Sequence, residues 1–252
     1  IAGGLGLTLG IYFSGGVSGG HLNPAVTLGF CITGKTKWWK LPIYSITQLA
    51  GAFVAAAVQF GVYNDAINHF DGGIRRTIGN FSTAGIFSTF PQDFVSTTNA
   101  LFDQIFGTFL FVICILAMSD EKNMSPHKGV VPIAMGLIVI AIGTSFAFNC
   151  GNAINCARDL GPRLFTVVAG WGLEPLRFVL RIKFVLFYRD YNWFWVPVVG
   201  PLLGSILASF MYIVMIQHHW PDTEKEESKM ITVTVNGHNN YRTDKTRNLY
   251  IQ

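Results

Sequence analysis

Charge is scarce in this chain of 252 residues: 13% of positions are Asp, Glu, Lys or Arg, against about 25% in an average soluble protein. The scarcity is uneven. Residues 1–63 carry only Lys35, Lys37 and Lys40, and residues 129–157 and 191–217 carry no charge. Segments of that length could not keep a water-facing surface, which excludes a soluble enzyme and a disordered chain. The net charge of +4 is too modest to suggest a nucleic-acid partner. Cysteine is sparse as well. Cys31, Cys114, Cys150 and Cys156 form no CxxC pair and no metal-ligand spacing with histidine, so neither a disulfide framework nor a metal site is expected. No cofactor motif is present. Glycine is abundant, but without a three-residue period, which excludes collagen. What remains is apolar surface, half of all residues being hydrophobic. These features predict an all-α integral membrane protein.

A bilayer core takes about 20 apolar residues per helix. Five segments meet or approach that length: 1–14, 41–63, 99–118, 129–148 and 193–217. The first opens on Ile1 in the middle of an apolar run, which predicts that a preceding helix is missing. Small residues recur within the spans, for instance Gly51, Ala52, Ala55, Ala56 and Ala57. Such residues let helices approach closely in lipid, where water no longer drives association. Lys35, Lys37 and Lys40, then Lys122 and Lys128, then Lys225 and Lys229 fall on one side if each span crosses once. The positive-inside rule makes that side cytoplasmic. Loop 64–98 would then be outside, where Asn80-Phe81-Ser82 is a glycosylation acceptor.

Two apolar stretches are too short to cross, from Pro24 to about Ile32 and from Cys156 to about Ala169. Each follows an Asn, a good helix N-cap, and each is better suited to a re-entrant segment than to a span. The segments resemble each other. Gly20-His21-Leu22-Asn23-Pro24-Ala25-Val26-Thr27 lies in register with Asn152-Ala153-Ile154-Asn155-Cys156-Ala157-Arg158-Asp159, and Gln48-Leu49-Ala50-Gly51-Ala52 with Pro201-Leu202-Leu203-Gly204-Ser205. Three spans separate the short segments, so they enter from opposite faces. Paired broken segments in an inverted repeat point to a conduction site.

The chemistry follows from the helix ends. A helix N-terminus presents unpaired N–H groups and about half a positive charge. Two such ends meeting at the midplane would repel cations. Asn23 and Asn155 would each cap a helix and still aim a carboxamide N–H into a lumen. A passing hydroxyl would have to orient toward both donors, which breaks a proton wire. Pro24 suits the first helical position. Arg158, one turn into the second short helix, is expensive at membrane depth and is therefore a functional candidate; the bland alternative is an arginine that reaches the surface and pairs with Asp159.

The segments SGGHLNPAVTLGF, KLPIYSITQLAGAF, TAGIFSTFP, LFDQIFGT, GNAINCARDLGPRLFTVVAGWG and WFWVPVVGPLLGS resemble the aquaporin superfamily, and within it the aquaglyceroporin branch. The resemblance runs from residue 3 to 217. It implies an inverted-repeat bundle with two re-entrant half-helices, a homotetramer in the plasma membrane, and passive flow of water, glycerol and similar small polyols. It also implies a pore motif of Asn23, Pro24 and Ala25 facing Asn155, Cys156 and Ala157. Asp159 and Arg163, with Pro201-Leu202, are similar to the glycerol-conducting pattern.

Carried over by position, the selectivity filter falls on Gly3, Gly143, Asn152 and Arg158, a wide and polar set that predicts a permissive pore, one that passes urea as well. His21 is a pH-gate candidate by its titration range, though a bracing role for its ring is favoured. Gln104 is expected to brace the second re-entrant loop. Cys156 departs from the proline usual at its position, and a lumen-facing thiol there predicts inhibition by mercurials. Residues 173–192 are longer than in relatives and place Arg177, Arg181, Lys183 and Arg189 on the outer side. Residues 1–217 thus form the channel portion, and 218–252 a polar cytoplasmic tail. The alternatives are a water-selective relative or a non-conducting membrane scaffold, suggested by the missing helix and Cys156.

Overall fold

The computed structural model describes residues 1–176 and 193–220. Most of the 173–192 segment and nearly all of the 218–252 tail lie outside the described residues. Those described contain helices and no strand. In chain order they are α1 (Ala2–Ser18), α2 (Pro24–Ile32), α3 (Lys40–Val62), α4 (Asn64–Asp71), α5 (Thr97–Met118), α6 (Val131–Cys150), α7 (Cys156–Thr166) and α8 (Val196–Met215). Compactness divides the chain at Ile213. The unit Val214–Gln252 contains the end of α8 and a single 3-10 turn, Gln217–His219, among its described residues.

Among the described residues, four helical segments are long and apolar enough to cross a membrane: Lys40–Val62, Thr97–Met118, Val131–Cys150 and Trp193–His219. Their bounds fall within a few residues of the expected spans. Only 6% of the apolar window of α3 is buried inside the protein, against 39% for α5. Ile43, Ile46, Val54, Val58 and Val62 are all at least half exposed. In water such a stripe would be an aggregation surface; in hydrocarbon it costs nothing. The chain is a multi-pass membrane protein.

The interior is assembled by close crossings. A Cβ on Gly161 of α7 would sit 2.8 Å from the Leu49 carbonyl oxygen and from the Ala52 side chain of α3. A Cβ on Gly204 of α8 would meet the Ile105 carbonyl of α5. Small residues therefore set both interhelical separations, as expected in lipid. Around these crossings Val26, Phe111, Ile115, Met135, Ile154 and Tyr212 form one apolar cluster. A second, of Ile67, Phe87, Phe165 and Trp171, joins loop 64–98 to the end of α7.

That loop is less irregular than the sequence suggested. Asp65 stands in the first turn of α4 and favours its N-terminal dipole. Ile67 and Asp71 form the buried face of the helix. The Asp71 carboxylate accepts two hydrogen bonds from Arg75 Nη1 (2.8 and 2.9 Å), one from the Gly73 N–H and one from the Thr83 hydroxyl. The Arg75 guanidinium lies over the rings of Phe60 (5.1 Å) and Trp171 (5.3 Å). An eight-residue amphipathic helix gives too short a periodic signal to stand out in a polar loop.

Candidate functional site

α2 and α7 are the two short helices expected from the sequence, and each begins directly after its Asn. Asn23 and Asn155 are both extended, as N-caps are. Asn23 Oδ1 accepts from the Ala25 N–H at 2.9 Å. Asn155 Oδ1 accepts from Ala157 N–H at 3.0 Å and Arg158 N–H at 3.2 Å. The amide nitrogens reach across the repeat. Asn23 Nδ2 donates to the Ile154 carbonyl (2.9 Å), and Asn155 Nδ2 donates to the Leu22 carbonyl (2.8 Å). The two helix N-termini thus meet head to head, each locked to the residue that precedes the other's cap.

Leu22 and Ile154 carry this lock at a local cost. Both have positive φ, 51° and 34°, a region that non-glycine residues enter at about 1–3 kcal/mol each. The two cross-loop hydrogen bonds contribute about 0.5–1.5 kcal/mol apiece, and the two caps about 1 kcal/mol each. Those gains offset the strain. Nothing in the types Leu and Ile signals this conformation. Each carboxamide has a second N–H, left over after the carbonyl of the opposite loop takes the first.

A cavity of about 440 Å³ adjoins this centre, lined by Asn155, Ala157 and Arg158 with Ser14, Tyr44 and Gln48 among others. A smaller one of about 130 Å³ is lined by Gly19, Gly20, Val26, Phe30 and Ile115. His21 lines both. Its Nδ1 is 3.1 Å from the Thr27 hydroxyl, and its ring packs edge-on against Phe30 and Tyr44. This ring is held on three sides, the arrangement of a brace.

The Arg158 side chain is exposed toward the larger cavity, and its Nη1 donates to the Phe87 carbonyl at 3.3 Å. It does not pair with Asp159. That carboxylate is fully buried and bound to Arg163, with Nε at 2.9 Å and Nη2 at 2.8 Å from Oδ1. Its Oδ2 accepts from the Thr89 N–H (2.7 Å) and from the Thr89 hydroxyl. Arg163 also donates to the carbonyls of Thr89 (2.6 Å) and Pro175 (2.8 Å), and Trp193 Nε1 donates to the Thr89 carbonyl at 2.7 Å. The hydrogen bonds of Asp159 therefore run to a loop 70 residues away, not only to its own neighbours. Two residues from Thr89, the Phe87 carbonyl holds Arg158.

The remaining sequence-stated positions divide. A Cβ on Gly143 would lie 3.0 Å from Asn152 Nδ2, so these two are adjacent. Gly3 has open space around it and lines neither of the two cavities. Gln104 donates to the Gly151 carbonyl (3.4 Å) and accepts from the Ile154 N–H (3.4 Å), directly under the second re-entrant loop. The Cys156 thiol is buried and directed at the Val198 carbonyl of α8, 3.3 Å away. The thiol thus faces α8 and lines neither of the two cavities, unlike the lumen-facing thiol expected from the sequence. Among the described residues no group of His, Cys, Asp or Glu could hold a metal. Phe87, Thr89, Trp193, Leu22 and Ile154 carry the site without having been identifiable as site residues from their spacing.

The Major intrinsic protein family profile matches residues 1–212. The chain belongs to the major intrinsic protein family. It is 49% identical over 221 residues to Aquaporin-10 of Milnesium tardigradum, covering 86% of this chain and 54% of that one. It is 43% identical over 229 residues to human Aquaporin-9, covering 88% and 74%. The chain thus spans about half the length of the first relative and about three quarters of the second. The X-ray structure of the aquaglyceroporin from Plasmodium falciparum superposes with a TM-score of 0.70 at 30% identity, covering 83% of this chain and 78% of that one. The family assignment and the all-helical fold read from the sequence agree with these matches.

Proposed function

We propose that this major intrinsic protein is a passive channel for water, glycerol and similar small uncharged solutes, urea among them, and that it excludes protons and cations. The observation that carries the reading is the reciprocal lock of Asn23 and Asn155, with Arg158 facing the same cavity as Asn155. Two helix N-termini and a guanidinium give a fixed positive potential, while the spare carboxamide N–H of Asn155 and Arg158, both lining the cavity, offer donors to hydroxyl oxygens; Asn23 is buried and acts through the lock. By their register in the repeat Gly3, Gly143, Asn152 and Arg158 make up the selectivity filter, a set with no aromatic side chain, which favours a solute wider than water. Flow down a gradient needs no nucleophile, cofactor or energy source, so catalysis has no part in this reading. The working unit is a homotetramer in the plasma membrane, with a pore in each subunit. Lys35, Lys37, Lys40, Lys122 and Lys128 support a cytoplasmic side, with the tail on that side and exposed Asn80 outside as a glycan acceptor. Loss of an endoglycosidase-sensitive band in Asn80→Gln protein from intact cells tests that sidedness.

Vesicles carrying the parent or Arg158→Ala decide the channel reading. Glycerol reswelling should persist in the variant, while a cation passing about 4 Å from the missing guanidinium escapes a repulsion of about 1–4 kcal/mol. The leak should rise at least about fivefold. Unchanged cation leak with unchanged glycerol flux would remove Arg158 from the lumen.

A further inference from the structure

The segment that joins α2 to α3 reads Gly34-Lys35-Thr36-Lys37-Trp38-Trp39-Lys40. It holds three positive charges, and no acidic residue precedes Asp65 in the chain. Trp38 and Trp39 are 58% and 59% exposed, unusual for the largest side chain unless something apolar or interfacial covers it. Lys35 and Lys37 are also exposed. Lys40 Nζ lies 5.9 Å from the centre of the Trp39 ring and 5.6 Å from that of Tyr44. This holds a cation beside the aromatic face. Lys35 donates once, to the Ser119 carbonyl at 2.8 Å, which leaves two of its three N–H bonds. The acid adjacent to Ser119 does not neutralise it, because the Asp120 carboxylate is buried and bound by the Tyr212 hydroxyl.

The stripe below this cluster has a matching chemistry. Ile43 and Ile46 follow Trp39 at the four- and seven-residue spacing of one helix face, and they are 50% and 67% exposed. Reading down α3, a charged group, an interfacial aromatic and an apolar stripe succeed one another. A phospholipid presents the same order from phosphate to glycerol backbone to acyl chain.

We propose that residues 35–40 and the Ile43–Ile46 face of α3 form a binding site for an anionic phospholipid. The phosphate and the headgroup charge lie at Lys37 and Lys40, with Lys35 as an outer contact. Trp39 packs at the level of the ester groups, and one acyl chain runs along Ile43 and Ile46. Three cations against a zwitterionic headgroup gain little net attraction, whereas against a net negative one each lysine strengthens retention about fivefold. The site also ties the end of α2 to α3, so lipid bound there steadies one of the two half-helices. The inference rests on the membrane-spanning reading of α3, and it does not need the chain to conduct.

The test is retention of added lipid on the full-length chain in detergent, read by native mass spectrometry. Phosphatidylserine is compared with phosphatidylcholine of the same acyl chains, for the parent and for Lys37→Gln/Lys40→Gln. The parent should retain phosphatidylserine about a hundredfold better, and the double variant, with Lys35 left, only about fivefold better. Raising salt should weaken the parent's preference, as expected of exposed charges. Equal retention of the two lipids by the parent overturns the proposal. So does a preference as large in the double variant as in the parent, or one that salt leaves unchanged. Glycerol flux measured in phosphatidylcholine vesicles reports separately on conduction: flux without lipid preference sinks this site alone, and lipid preference without flux sinks the channel reading alone.

Discussion

Replacing Asp159 by Asn exchanges one carboxylate oxygen for an amide nitrogen, removes the charge and leaves the shape of the side chain intact. In the parent, Arg163 and Asp159 have no exposed side-chain surface, and the guanidinium makes its two ionic contacts to one carboxylate oxygen. After the substitution the Asn carboxamide oxygen can still accept from Arg163, beside the carbonyls of Thr89 and Pro175, but the buried cation loses its counter-charge. Breaking one member of a buried pair costs about 3–5 kcal/mol. For a chain of this length that corresponds to a fall in melting temperature of about 6–20 °C. The double replacement Asp159→Leu/Arg163→Met removes the stranded charge. The Thr89 carbonyl still receives Trp193 Nε1, but the Pro175 carbonyl and the Thr89 N–H and hydroxyl lose their partners, at about 1–3 kcal/mol for each buried group left unpaired. The stranded charge is the term that the double variant lacks, so Asp159→Leu/Arg163→Met should lose less than the two single replacements together. Thermal unfolding of purified protein, followed by tryptophan fluorescence, reads both effects. The glycerol-to-water permeability ratio of Asp159→Asn should also fall, since the loop carrying the Phe87 carbonyl loosens its hold on Arg158. A single variant that melts within about 2 °C of the parent, or a double whose loss equals the sum of the two singles, would refute the reasoning.

Two further outcomes follow from buried groups. Because the Cys156 thiol faces the Val198 carbonyl, the parent and Cys156→Ser should show the same sensitivity of glycerol flux to mercurials; relief of inhibition in the Ser variant would put the thiol in the lumen. Asp71 is buried, which pushes its carboxyl up, but hydrogen bonds from Arg75, Thr83 and the Gly73 N–H, with the charge of Arg75, hold it below the usual range. A lowered carboxyl stabilises the folded state above its unfolded value of about 3.9 and loses that stabilisation as pH falls through its folded value. Melting temperatures from pH 7 to pH 3 should diverge between parent and Asp71→Asn above about pH 4 and converge below it; a constant gap across the range would contradict this.

The helices were legible because their causes are local. Apolar length located α3, α5, α6 and α8, and the capping preference of Asn located the starts of α2 and α7 to the residue. The register of the repeat brought Asn23 and Asn155 into one argument, although each alone is an ordinary cap. The remainder of the site depends on contacts that no spacing encodes. Thr89 and Phe87 belong to a loop far from α7 in sequence, and apart from the Thr89 hydroxyl their roles come from backbone groups. Leu22 and Ile154 hold the lock through carbonyl oxygens and a positive φ that neither side chain favours. The direction of the Cys156 thiol is decided by α8, which lies 40 residues downstream. Asp159 is conspicuous in the sequence, but its partner is not, because Arg158 beside it and Arg163 one turn on are both within reach.

The two facing half-helices are claimed to pass an uncharged hydroxyl solute while stopping protons. Vesicles containing the unaltered chain, loaded with a pH-sensitive dye and placed in a glycerol gradient under an opposing pH gradient, measure both at once. Reswelling should be much faster than in protein-free vesicles while the internal pH holds. Reswelling at the protein-free rate, or a pH gradient that collapses as glycerol enters, would contradict the account.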